Sequence, residues 1–84
     1  MSDHPIIELS ESNFDETVKK GTVLVDFWAP WCGPCRRQGQ ILHDAAATFP
    51  AGVVVAKVNV DDEPALAARF GVRSIPTLVV LKDG

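Results

Sequence analysis

Val23-Leu24-Val25-Asp26-Phe27-Trp28-Ala29-Pro30-Trp31-Cys32-Gly33-Pro34-Cys35 runs from a strand through a turn into the start of a helix. Val23 to Trp28 is a nearly unbroken apolar run, the pattern of a strand covered on both faces. Pro34 suits the first turn of a helix, where a missing N–H costs nothing. Cys32 then falls at the helix N-terminus, where unpaired amides and the macrodipole favour an anion. A thiolate is that anion, and only the thiolate attacks a disulfide. Cys35 lies one turn further on the same face, within reach of the Cys32 sulfur. The spacing predicts an exposed attacking thiol and a sheltered resolving thiol.

Competing uses of the pair are weaker. Cys32 and Cys35 are the two cysteines of the chain, and closing so small a loop stabilises a fold by only about 2 kcal/mol. A zinc site needs further ligands, and the histidines on offer are His4 and His43, with no second close pair. His43 falls in the middle of the following helix and reads as a solvated or partly packed side chain. The pair is placed for redox chemistry.

Outward from this stretch, the chain alternates strand and helix with short connections. Pro5 to Leu9 reads as a first strand. Ser10 to Lys20 reads as a helix, with Ser10 or Ser12 as its cap, acids in its first turn, Phe14 and Val18 at i, i+4, and Gly21 as its stop. Gly33 to about Phe49 carries an apolar stripe of Ile41, Leu42, Ala45, Ala46 and Phe49 at helical spacing. Val53 to Val60 is a second buried strand. Pro64 to Phe70 is a short helix opened by Asp61 or Asp62 and closed at Gly71. Pro76 to Leu81 is a further strand, and Lys82-Asp83-Gly84 a turn. This order implies a layered α/β fold with at least two parallel strands joined by a right-handed crossover. An Asp-Gly after a strand commonly opens a hairpin, so a partner strand is expected next and the chain reads as a fragment.

Composition sets the outer bounds. Eighty-four residues, 46% hydrophobic and 23% charged, describe one small globular domain. A net charge of −3 argues against nucleic acid or an anionic membrane as partner, since both call for a basic surface. No apolar run approaches the ~20 residues that span a bilayer. The start, Met-Ser-Asp-His-Pro, lacks the basic and apolar regions of a secretory signal, and a cytoplasmic, soluble protein is expected.

Three segments resemble one known family. Val25 to Cys35 resembles the active-site segment of the thioredoxins. Val55-Ala56-Lys57-Val58-Asn59-Val60-Asp61 is similar to their third strand, and Phe70-Gly71-Val72-Arg73-Ser74-Ile75-Pro76-Thr77 to the segment facing the site. The resemblance runs from about Ile6 to Gly84. It implies a three-layer α/β/α sandwich with a central mixed sheet, lacking the family's C-terminal strand and helix, with residues 1–84 as one thioredoxin domain. It also implies Cys32 as nucleophile, Cys35 as resolving thiol, and a cis Pro76 held against the disulfide. Asp26 interrupts the apolar strand, so burial and a raised pKa are expected of it. The resemblance makes Asp26 the proton relay for Cys35, with Lys57 as its charge partner. Asp26→Ala is then expected to leave the fold as stable or more so while slowing disulfide exchange.

Trp31, Gly33, Pro34, Ile75 and Pro76 would form the apolar rim that docks an extended substrate segment by strand addition. Trp28 reads as core beneath the site. The implied activity is reduction of protein disulfides, with Cys32 and Cys35 cycling between dithiol and disulfide and no bound cofactor or metal. The implied electron donor is an NADPH-dependent flavoprotein thioredoxin reductase. Two alternatives are a docking module without turnover and one domain of a larger redox or chaperone protein. The sequence departs from the family pattern after the site. Arg37 follows Arg36 where an apolar residue is usual, and Gln38, Gly39 and Gln40 replace apolar residues and a kinking proline.

Overall fold

Alternation along the central strand decides which helix covers which face. The computed structural model describes residues 6–84. In chain order the elements are β1 (Ile7–Glu8), α1 (Phe14–Val18), β2 (Thr22–Trp28), α2 (Gly33–Ala46), β3 (Val53–Asn59), α3 (Pro64–Arg69) and β4 (Thr77–Lys82). The sheet order is β1-β3-β2-β4. β3 runs parallel to both β1 and β2, whereas β4 pairs antiparallel with β2, so the sheet is mixed.

Successive side chains of a strand point to opposite faces. Val23, Val25 and Phe27 of β2 point one way and pack with Ala56 and Val58 of β3, Phe14 and Val18 of α1, and Leu66 of α3. The Phe70 ring tilts against Phe14 at 5.5 Å and Phe27 at 5.9 Å between centroids. Leu24 lies on the other face, where Leu42 and Ala46 of α2 pack on Val55. Helices thus cover both faces, giving the expected three layers. Asp26 and Trp28 share the parity of Leu24 and meet α2.

Some local features differ from the sequence reading. Ser10 to Lys20 is not one helix: α1 is a short helix preceded by a turn. The Asn13 side chain accepts the Ser10 N–H at 2.7 Å and donates to the Glu8 carbonyl at 3.1 Å, which holds residues 10–13 in that turn. Neither serine caps α1; Asn13 stands at its N-cap without a side-chain cap bond. Glu63, rather than Asp61 or Asp62, is the N-cap of α3, again without one. Ile41 belongs to the apolar stripe of α2 by spacing but is 56% exposed. Pro5 lies outside the described residues, and β1 is confined to Ile7–Glu8.

The turn before β2 is fastened to the end of β4. Gly21 takes φ +78°, a conformation that favours glycine. Its carbonyl accepts the Asp83 N–H at 2.8 Å, and its N–H donates to Asp83 Oδ1 at 2.8 Å.

Candidate active site

The local chain path places both cysteines at the start of α2. Cys32 is the N-cap, with extended backbone, and Pro34 occupies the first turn. The Cys32 sulfur accepts the Cys35 backbone N–H at 3.1 Å, and the Cys32 carbonyl accepts the Arg36 N–H at 3.2 Å. A helix N-terminus with an amide aimed at sulfur favours negative charge on that sulfur. Cys32 and Cys35 are joined in a disulfide, with Cα atoms 5.2 Å apart. The exposed attacking thiol expected from the sequence is not found, since both cysteines are buried. Cys32 is buried at 6% exposure and Cys35 at 1%, because Ala29, Trp28, Val60 and Ile75 pack around the pair.

Beneath the disulfide, Asp26 is 2% exposed. Burial pushes its pKa from an ordinary 3.8 to about 6, with the Lys57 charge pulling the other way. Asp26 Oδ1 has no hydrogen-bond partner among the described residues. Asp26 and Lys57 stand opposite one another in the β2–β3 register. They form no close ion pair, and Lys57 acts on the carboxyl through its charge alone. The Lys57 ammonium instead sits 4.4 Å from the centre of the Trp28 ring, where the aromatic face attracts it. A cavity of about 490 Å³ lies between α2 and the sheet, and Asp26, Cys35, Gly39 and Lys57 all line it. The carboxyl and the buried sulfur therefore share one space.

The rim above is built from separate loops. Trp31 is 70% exposed, and its indole N–H donates to Asp61 Oδ2 at 2.9 Å. Gly33 and Pro34 are exposed beside it. Ile75, half-buried, packs on the cysteine pair from the loop before β4, and the Ile75–Pro76 peptide bond is cis. Thr77 Oγ1 donates to the Ser74 carbonyl at 2.5 Å and closes that loop. The site residues read from the sequence, from Asp26 and Lys57 to Ile75 and Pro76, gather at this end of the sheet. Sequence reasoning missed Asp61 as the partner of Trp31 and the cavity under α2. An aspartate at the end of a buried strand was the available signal for the first. The second arises from packing between elements distant in sequence.

A redox-capable cysteine pair capping a helix on an α/β/α sandwich defines a thiol–disulfide oxidoreductase. The family model described as thioredoxin matches residues 5–84. The chain belongs to the thioredoxin family. It is 47% identical to the thioredoxin of Staphylococcus haemolyticus over 79 residues, which are 94% of this chain and 76% of that protein. The thioredoxins of Staphylococcus saprophyticus and Staphylococcus aureus are 46% and 44% identical over the same shares. The activity is that of a thioredoxin-type protein-disulfide reductase.

Proposed function

We propose that Cys32 is the nucleophile and Cys35 the resolving thiol of this reductase. The Cys32 thiolate attacks one sulfur of a substrate disulfide, forming a mixed disulfide and expelling the first substrate thiolate. Cys35 then gives up its proton, attacks the Cys32 sulfur and releases the second substrate thiolate. Two electrons have passed to the substrate, and the protein is left with the Cys32–Cys35 disulfide. The observation that carries this reading is that disulfide itself, capping α2 with a backbone amide on the Cys32 sulfur.

Asp26 serves as the base for Cys35. A carboxyl with a pKa near 6 can both take and return a proton near neutrality. The shared cavity far exceeds the roughly 30 Å³ of one water, so a water can carry the proton between them. Lys57 tunes the carboxyl from across the strand. Trp31, Gly33, Pro34, Ile75 and Pro76 form the docking rim for the substrate backbone. An NADPH-dependent flavoprotein thioredoxin reductase restores the dithiol, which gives the protein its place in electron transport and cell redox homeostasis. The compartment is the cytoplasm, where such a reductant operates. Among the described residues, no helix is long and apolar enough to cross a membrane.

Reduction of a protein disulfide by dithiothreitol, with and without the chain, tests the reading. The chain should accelerate the reaction, Cys32→Ser should abolish the acceleration, and Cys35→Ser should accumulate a mixed disulfide visible by mass spectrometry. A docking module would show no acceleration and trap no substrate.

A further inference from the structure

Charge is unevenly placed around the disulfide. The chain as a whole is acidic, with eight Lys and Arg against eleven Asp and Glu. Three of those cations are nevertheless arginines beside the cysteines. The Arg36 N–H bonds the Cys32 carbonyl, so Arg36 and Arg37 occupy the turn of α2 that directly follows the pair. Arg73 precedes Ile75, which packs on the pair, by two residues. All three are exposed, and none forms an ion pair among the described residues. Three of the other five cations are engaged: Lys19 holds Glu16 at 2.8 Å, Arg69 holds Asp15 at 3.1 Å, and Lys57 covers Trp28, while exposed Lys20 and Lys82 stand away from the cysteines.

Acids also stand at the rim, in a different segment of the chain. Asp61 accepts the Trp31 indole, and Glu63 accepts the Glu11 N–H at 3.1 Å. Both belong to the connection between β3 and α3, with exposed Asp62 between them. The charges are therefore divided by segment, basic at the start of α2 and in the loop before β4, acidic in the turn into α3.

We propose that Arg37 and Arg73, with Arg36 beside them, make this rim select substrate disulfides flanked by acidic residues. A docked segment crosses Trp31, Pro34 and Ile75, the last two each two residues from Arg36 and Arg73 along the chain, and exposed charges act over a Debye length of about 8 Å. Guanidinium pairs with carboxylate through two parallel hydrogen bonds and needs no desolvation of the arginine stem. Opposite charge also raises the encounter rate, and a lysine-flanked segment is repelled by the same groups. The gain appears in kcat/KM, and salt suppresses it. The inference rests on the reductase reading above and adds the substrate class.

The test uses two disulfide-cyclised peptides with the same ring, one flanked by glutamates and one by lysines. With stoichiometric reduced chain, the acidic peptide should be reduced with a second-order rate constant about tenfold larger at low ionic strength. That ratio should fall toward one between about 10 mM and about 0.5 M salt. Arg37→Gln combined with Arg73→Gln should collapse the ratio at low salt as well. Equal rates for the two peptides, or a ratio that survives salt or the double substitution, overturns the selectivity alone. Reduction of neither peptide overturns the reductase reading and the selectivity with it.

Discussion

The two faces of β2 invite comparison, because one strand builds both. Under α1 and α3, Val23, Val25 and Phe27 are fully buried among apolar side chains. Under α2, the alternate positions Asp26 and Trp28 border a cavity, and each keeps a buried polar atom without a partner among the described residues. Burial of apolar side chains on the first face stabilises the fold, and the second face carries a carboxyl that burial holds at a chemically useful pKa. Stability and reactivity are thus divided by the parity of one strand. A domain this small cannot spread such a cost widely.

The largest expected effect probes the packed face. Phe27→Ala removes a fully buried ring and should destabilise the protein by about 3–5 kcal/mol in urea unfolding. A much smaller loss would mean that this face is no tighter than the other.

Next comes the pH dependence of Asp26. The folded protein holds this proton up to a pKa of about 6, whereas the unfolded chain releases it near 3.8. Between those values the folded state binds more protons, so stability falls as pH rises and stays low above about 6. The whole loss is about 3 kcal/mol. Asp26→Ala should flatten this profile, be at least as stable at pH 7, and exchange disulfides more slowly. Unchanged exchange across neutral pH would remove Asp26 from the proton path.

Leu42→Ala, on the looser face, should cost about 2 kcal/mol, the lower end for a buried leucine, because the adjoining cavity already leaves room to relax. A loss equal to that of Phe27→Ala would break the contrast between the faces. The smallest effect has the opposite sign. A Cβ on Gly39 would meet nothing within 4 Å, so Gly39→Ala should stabilise α2 by about 1 kcal/mol. The midpoint of urea unfolding reads both.

Much of this division was legible in the sequence. The apolar runs marked β2 and β3, the lone carboxylate in one of them marked Asp26 as buried, and Cys-Gly-Pro-Cys after a strand marked the start of α2. What escaped was decided by contacts between distant residues or by competing side chains. Asn13 captures backbone groups of Ser10 and Glu8, and α1 starts late. Asn59 accepts the N–H groups of Asp62 and Glu63 on its carbonyl and that of Asp61 on its side chain, so the chain turns before α3 and Glu63 caps it. Lys57 had two attractive neighbours, a carboxylate and an aromatic face, and strand spacing does not choose between them. Ile41 fits a helical stripe, yet it is 56% exposed.

The clasp between Gly21 and Asp83 has a mechanical consequence. β4 lies antiparallel to β2, with Lys82 opposite Thr22 and Thr77 opposite Phe27. Tension drawn along the chain beyond Lys82 would therefore unzip the strand from its Thr22 end, one rung at a time. The two bonds of the clasp stand ahead of the first rung and meet the load before any of the ladder does. Pro76, at the far end of that zipper, is the last to feel the pull.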